Sequence, residues 1–148
     1  MRDAVRDLSH DHAELNRRVL AVGAKLEMLR RGTQVDLAPA LDELREMLFL
    51  HFAREEEGLF PFVTDAAPTL AVQVQEMAVA HDTICGSLSR ACHLARSGAE
   101  VGSLAALYER FENAYADHAR READLLSRLD ELLDADHREQ LAALVDGL

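Results

Sequence analysis

The chain of 148 residues has the size of one domain, and its 49% apolar content is sufficient for a hydrophobic core. Sixteen basic and 27 acidic residues give a formal net charge of −11, which argues against nucleic acid and against an anionic membrane surface as partners. Seven glycines, three prolines and 5% aromatic residues favour helices over strands, so we expect an all-α protein. No stretch approaches the roughly 20 apolar residues that span a bilayer, and the amino terminus lacks the apolar run of a signal peptide. We therefore expect a cytoplasmic location.

Turn-forming residues divide the chain into four long helices and a short fifth. The long helices are predicted at about 3–31, 36–57, 67–97 and 103–133, and the short one at about 136–146. Asp36 and Ser103 can cap the second and fourth helices, while Gly58 and Gly98 suit the positions after the second and third. Short connections between such helices predict a single domain over residues 1–148. We expect an antiparallel up-down-up-down four-helix bundle with a short extra C-terminal helix.

Each long helix carries apolar residues three and four positions apart, and each of these apolar seams contains one histidine. The predicted seams are, in chain order, Leu8, His12, Leu15, Val19, Val22, Leu26 and Leu29; Leu37, Leu41, Leu44, Leu48, His51 and Glu55; Leu70, Val74, Met77, His81, Ile84 and Leu88; and Leu104, Leu107, Phe111, Ala114, His118, Glu122, Leu125, Leu129 and Leu132.

The four seam histidines are predicted to lie at one level of the bundle. Counted from the helix ends that meet in an up-down-up-down arrangement, they fall within about one helical turn of one another. Two of them are followed four residues later by a glutamate, and this spacing puts both side chains on the same helix face. We call the resulting set the histidine layer, which consists of His12, His51, Glu55, His81, His118 and Glu122.

Four imidazoles and two carboxylates in a leucine-rich interior need a compensating charge. An uncompensated buried carboxylate costs several kcal/mol, and two would consume much of the ~5–15 kcal/mol by which a domain is stable. A metal removes this difficulty, and histidine nitrogen with carboxylate oxygen suits Fe, Mn or Zn. Two carboxylates between two histidine pairs suit two ions that those carboxylates bridge. Because no thiolate belongs to the layer, a structural zinc site is disfavoured.

The two halves of the chain repeat the same pattern. His12 opens His-Ala-Glu-Leu and His81 opens His-Asp-Thr-Ile, and each is followed, 39 and 37 residues later, by a His-x-x-x-Glu sequence. We interpret the chain as a tandem repeat of helical hairpins. Each hairpin would supply two histidines and one glutamate, which predicts a symmetric dinuclear centre.

The stretches HDHAEL, HFAREEEGLFP, AHD and HARRE resemble the hemerythrin-like, or HHE cation-binding, family over about residues 8–126. The resemblance implies a non-haem di-iron site in a four-helix bundle, with carboxylate bridges and an oxo or hydroxo bridge between the two iron ions. It also implies an association with oxygen, nitric oxide or peroxide, with iron handling and with redox sensing. The metal ligands that it implies are His12, His51, Glu55, His81, His118 and Glu122.

The sequence departs from that of the oxygen-carrying members at two places. Those carriers have two histidines four residues apart on the third helix, whereas His81 has Met77 four residues before it and Cys85 four residues after it. Their carboxylate on the fourth helix follows its histidine by five residues, whereas Glu122 follows His118 by four. Both differences argue against simple reversible oxygen carriage.

We therefore predict a non-haem di-iron protein that binds oxygen, nitric oxide or peroxide for redox sensing or for iron and oxygen handling. The alternative is a di-iron peroxidase or oxidase that consumes peroxide or oxygen, and the sequence does not separate the two. Mn or Zn would also suit the donors, and a sensor would need an unidentified protein partner. A ferritin-like oxidase is disfavoured because the chain contains no Glu-x-x-His pair. Glu56 is predicted to belong to a solvated helix end, and whether Met77, Cys85, Glu56 or Tyr115 approaches the metals is left open.

Overall fold

The computed structural model describes the backbone of residues 4–146 and the side chains of residues 12–144. Within that part of the chain every regular element is helical, which confirms the all-α prediction. The α-helices are α1 (Ala4–Arg30), α2 (Ala38–Arg54), α3 (Phe60–Ala66), α4 (Ala71–Arg96), α5 (Val101–Leu132) and α6 (Ala135–Asp146), with a π-helical turn at Glu55–Leu59 and a 3₁₀ turn at Pro68–Leu70.

The four long helices pack as a closed ring. Helix α1 contacts α2 and α5, and α4 also contacts α2 and α5, so the chain forms a helical bundle. The short C-terminal helix α6 packs against α1 and against the π-helical turn, where the Leu144 side chain reaches Gly58. Among residues 4–146, none of the helices combines the length and the apolarity that crossing a membrane requires.

Two hydrophobic clusters fill the bundle, one on each side of the histidine layer. The upper core contains the buried residues Leu15, Val19, Val22, Leu26, Leu37, Leu41, Leu44, Leu48, Phe52, Ile84, Leu88, Ala91, Cys92, Leu104, Tyr108, Phe111 and Tyr115. The lower core contains Leu59, Phe60, Val63, Ala67, Leu70, Val74, Met77, Leu125, Leu126, Leu129, Leu133 and Leu141. The predicted seams supply most of the upper core but fewer than half of the residues of the lower core.

One seam prediction is wrong and one lies outside the described side chains. Leu132 is 55% exposed, because the neighbouring Leu129 and Leu133 occupy the inner face at that end of α5. Leu8 precedes the first described side chain.

The second helix does not end at Gly58 as predicted. Gly58 lacks the positive φ of a helix-ending glycine, which among the described residues is found at Gly32 (92°) and Gly98 (73°). The helical path continues through the π-helical turn into α3, because this continuation buries Phe60 and Val63 in the lower core. That burial outweighs the ~1 kcal/mol by which glycine disfavours a helix interior.

Two predicted caps also differ from the structure. Helix α2 begins after the buried Leu37 and not at Asp36. The start of the first helix was predicted at residue 3, which lies outside the described residues. Helix α5 begins at Val101, two residues before Ser103, and Val101 packs against the upper core. Neither N-terminus has a side-chain cap, so apolar packing sets both boundaries. The predicted end of the third helix is confirmed, because Gly98 supplies a left-handed residue just after α4.

Candidate metal centre

The four histidines of the layer come from four different helices and meet in two close pairs. Nε2 of His12 on α1 lies 3.1 Å from Nε2 of His51 on α2. Nε2 of His81 on α4 lies 3.1 Å from Nε2 of His118 on α5. In both pairs the rings meet edge to face, with interplanar angles of 82° and 67°. The Nε2 edges of the two imidazoles in each pair therefore point at one another.

Each glutamate of the layer lies between one histidine of the first pair and one of the second. Oε1 of Glu55 is 3.5 Å from Nε2 of His51 and 3.4 Å from Nε2 of His81. Oε2 of Glu122 is 3.2 Å from Nε2 of His12 and 3.6 Å from Nε2 of His118. The structure thus brings together all six residues selected from the sequence, while their role as ligands stays a prediction.

These donors form two sets whose ligand atoms lie within 4.8 Å of one another. The first set has four members and the second has three, and Glu55 belongs to both. The first consists of His12, His51, Glu55 and Glu122, and the second of Glu55, His81 and His118.

Several polar atoms of the layer are buried without a hydrogen-bond partner among the described residues. Glu55 is 0% exposed and both of its carboxylate oxygens lack such a partner. Oε1 of Glu122 and Nδ1 of His118 also lack one, and both side chains are 2% exposed. Buried polar atoms are rarely left in this state, because each costs about 1–3 kcal/mol and an ionised group costs more. Nitrogen and oxygen donors that lack other partners fit a cation such as Fe, Mn or Zn.

Aromatic side chains close the centre on one side. Phe52 stacks on His81 with ring centroids 3.6 Å apart and planes 8° apart, and it meets His118 edge to face. Phe60 lies on His81 at 5.4 Å. Burial, with a smaller contribution from the neighbouring His81, lowers the pKa of His118 to about 4. His118 is therefore neutral at physiological pH, which is the form that binds a metal ion.

The π-helical turn that carries Glu55 was not predicted from the sequence. Its backbone bond runs from the N–H of Phe60 to the carbonyl of Glu55, one residue further than in an α-helix. Pro61 accounts for the turn, because a proline inside a helix lacks the N–H donor and its ring clashes with the carbonyl four residues earlier. A proline inside an otherwise helical pattern was the available signal, and such turns are frequent at functional sites.

Glu56 is a further residue of the centre that the sequence prediction treated as solvated. Its side chain is 42% exposed, yet Oε1 lies 3.2 Å from Nδ1 of the buried His81. Two consecutive glutamates of the π-helical turn therefore contact opposite edges of the His81 ring, Glu55 at Nε2 and Glu56 at Nδ1. Adjacency to Glu55 was the only indication in the sequence.

The three other residues left open by the sequence do not join the two donor sets. Met77 is buried in the lower core, and the Tyr115 hydroxyl donates to Oδ1 of Asn16 at 2.8 Å. Cys85 is half-buried, and burial together with the negative charges of Glu56 and Asp82 raises the pKa of its thiol to about 11. Cys85 is therefore a protonated thiol at neutral pH, which disfavours a redox-reactive role.

A cleft between α4 and α5 reaches the centre from the outside. Its volume is about 350 Å³, and His118 forms part of its wall. Its lining includes both apolar and charged side chains, among them Arg121, which contacts Asp117 and Glu76. The cleft is lined by Gln73, Glu76, Met77, Ala80, Thr83, Ile84, Ala114, Asp117, His118, Arg121 and Asp124.

Comparison with known proteins gives one match. The model of the family described as Hemerythrin HHE cation binding domain matches residues 3–129. A search of curated proteins and a search of solved structures found no match. The match spans both histidine pairs and both glutamates, and the His/Glu cluster has the donors to hold a metal ion. The chain belongs to the hemerythrin HHE cation-binding domain family.

Proposed function

We propose that the histidine layer holds two iron ions and that the loaded protein binds a small molecule, namely oxygen, nitric oxide or peroxide. The role would be redox sensing or iron and oxygen handling. The observation that carries this proposal is the convergence of four Nε2 atoms on two buried carboxylates, three of whose four oxygens lack a hydrogen-bond partner among the described residues. A pair of cations would neutralise both carboxylates and use the lone pairs of all four imidazoles.

The arrangement of the glutamates supports two ions over one. Glu55 belongs to both donor sets, and Glu122 has contacts to a histidine of each pair. A carboxylate in such a position can offer one oxygen to each of two ions, as in di-iron carboxylate proteins built in helical bundles. His12 and His51 would hold one ion, and His81 and His118 the other. Manganese or zinc would suit the same donors, so the choice of iron is part of the proposal.

Two further features support the binding of a small molecule. An ion beside His81 and His118 would have those two imidazoles and oxygens of the shared Glu55 and Glu122, so it retains positions for an external ligand. The cleft between α4 and α5 provides a path to His118, and the apolar part of its lining, namely Met77, Ala80, Ile84 and Ala114, suits a small uncharged molecule. Iron would supply open coordination positions and a change of oxidation state. The protein's part is to keep His118 neutral by burial and to exclude bulk water with Phe52 and Phe60.

The antiparallel up-down-up-down order of the four long helices is also part of the proposal. The ring of contacts and the short connections between consecutive long helices support it. Spin labels at exposed residues near the helix ends test it, because Arg31 and Gln34 must lie at the same end of the bundle as Ser97 and Gly102. A long distance between the two groups would contradict this order.

Metal analysis combined with an optical spectrum tests the proposed function. We expect about two iron ions per chain, an absorption band of the oxidised protein that disappears on reduction, and a new band when nitric oxide is added to the reduced protein. His118→Ala should lose metal, whereas His93→Ala, an exposed histidine on α4, should keep it. A purified protein that takes up no iron would contradict the proposal. Steady consumption of peroxide or oxygen would favour a peroxidase or oxidase over a binding protein.

A further inference from the structure

Glu56 and His81 form a pair in which an exposed carboxylate faces the outer nitrogen of a buried imidazole. Oε1 of Glu56 lies 3.2 Å from Nδ1 of His81, while Nε2 of the same ring lies 3.1 Å from Nε2 of His118. His81 is 2% exposed and Glu56 is 42% exposed. The imidazole therefore has one edge towards the centre and the other towards a carboxylate at the protein surface.

We propose that Glu56 is a positioning residue that accepts the Nδ1–H of His81 and so holds the Nε2 lone pair towards the centre. This inference rests on the proposed function, because it concerns a histidine that would bind a metal ion. The hydrogen bond made by one ring nitrogen decides which tautomer is present, and a carboxylate partner also makes the other nitrogen a stronger donor.

Glu56 supplies a hydrogen-bond acceptor beside Nδ1 of His81, and the aromatic side chains around the ring do not. Phe52 stacks on one side of the ring and Phe60 lies against it as well, and neither side chain can accept a conventional hydrogen bond. The stacking fixes the plane of the ring but does not select its tautomer. His118, the other histidine of the pair, has no partner for its Nδ1 among the described residues. The two histidines of one pair are therefore unequal, and His81 has the oriented ring.

The tandem repeat makes Glu56 an asymmetric feature. Glu55 is followed by Glu56 in the first half, whereas Glu122 is followed by Ala123 in the second. An alanine side chain has no acceptor, so it cannot reproduce the contact in the other half. We therefore expect the loss of Glu56 to weaken the ion at His81 and His118 and to leave the ion at His12 and His51 nearly unchanged.

Three variants test the inference, namely Glu56→Ala, Glu56→Gln and the matched control Glu57→Ala on the exposed neighbour. The ¹⁵N spectrum of the histidine rings in the metal-free protein reports the tautomer, and a titration with ferrous iron reports the affinity of each ion. We expect wild type and Glu57→Ala to have His81 protonated at Nδ1. Glu56→Ala should lose this preference and bind one ion about tenfold or more weakly. Glu56→Gln keeps an acceptor, so it should retain the tautomer with a smaller loss of affinity.

The two readouts separate failure of this inference from failure of the proposed function. If His81 has the same tautomer in wild type and in Glu56→Ala, the positioning role is wrong. It is also wrong if Glu56→Ala binds both ions as tightly as the control Glu57→Ala does. If Glu56 sets the tautomer but neither the wild type nor any variant binds iron, the proposed function is wrong, whereas the positioning of His81 by Glu56 is confirmed. Because Glu56 is partly exposed, we expect all three variants to fold, which circular dichroism checks.

Discussion

Neutralising Glu55 should have opposite effects on the metal-free and the metal-loaded protein. Glu55 is fully buried, and neither oxygen has a hydrogen-bond partner among the described residues. Its Oε1 lies 3.5 Å from Nε2 of His51 and 3.4 Å from Nε2 of His81. Without a cation this carboxylate is a destabilising group, whereas with a cation it is a ligand. Glu55→Gln keeps the shape of the side chain and removes its charge.

The expected change in the free energy of unfolding follows from two costs, that of the buried charge which Glu55→Gln removes and that of the buried amide which it introduces. An uncompensated buried charge destabilises the fold by several kcal/mol, and a buried amide without partners still costs about 1–3 kcal/mol. The metal-free variant should therefore be more stable than the metal-free wild type by about 2 kcal/mol. The wild type gains about 2.7 kcal/mol when metal is present at a hundredfold excess over its Kd, and a variant that has lost the shared ligand forfeits most of that gain.

Urea unfolding followed by circular dichroism measures both effects, once with a chelator and once with excess ferrous iron under anaerobic conditions. Glu57→Gln is the control, because Glu57 is the exposed neighbour and its substitution should leave both free energies of unfolding nearly unchanged. If Glu55→Gln lowers the free energy of unfolding equally in both conditions, the Glu55 carboxylate has a structural partner and is not reserved for a cation. That result would refute the reasoning.

Three further predictions concern acid, the thiol and the cleft. In the metal-free protein the pKa of His118 is about 4 against 6.5 for an ordinary histidine. The unfolded chain therefore binds this proton first as the pH falls, and the free energy of unfolding should drop by up to about 1.4 kcal/mol per pH unit between these two values. Urea unfolding across this range checks the sign, and a rise in stability on acidification would contradict it. Cys85, with its pKa of about 11, should be alkylated by iodoacetamide at pH 7.5 much more slowly in the folded protein than in urea, and equal rates would show an accessible thiolate. Ala114→Leu, which narrows the cleft beside His118, should slow nitric oxide binding severalfold in stopped-flow measurements, whereas Ala119→Leu, in the groove between α1 and α5, should not; equal rates would exclude the cleft as the path.

The sequence predicted the helices and the gathering of the layer because both follow from spacing. Leucines three and four residues apart define an inner face, and a histidine or glutamate that interrupts the leucines must lie on the same face. The sequence alone therefore predicted that Glu55 and His118 lie inside the bundle. The prediction failed at Leu132, where two other leucines within a turn compete for the inner face and only packing decides between them.

The details at the end of the second helix could not be predicted in the same way. Glycine commonly follows the end of a helix, which is why the helix was predicted to end before Gly58. The apolar residues after Gly58 bury enough surface to keep the chain helical, and the wider π-helical turn accommodates Pro61. Glu56 lies in that turn and its carboxylate contacts His81, although its side chain is 42% exposed. The contact joins two residues that are 25 positions apart in the sequence and lie on different elements, and periodicity along one helix does not reveal it.

The central claim is that the histidine layer holds two iron ions. Anomalous diffraction at the iron absorption edge, from crystals of protein prepared with iron, tests it most directly. We expect two iron peaks inside the histidine layer, about 3.5–4 Å apart, one beside His12 and His51 and the other beside His81 and His118, with Glu55 between them. An empty layer, a single iron peak, or iron bound elsewhere on the chain would contradict it.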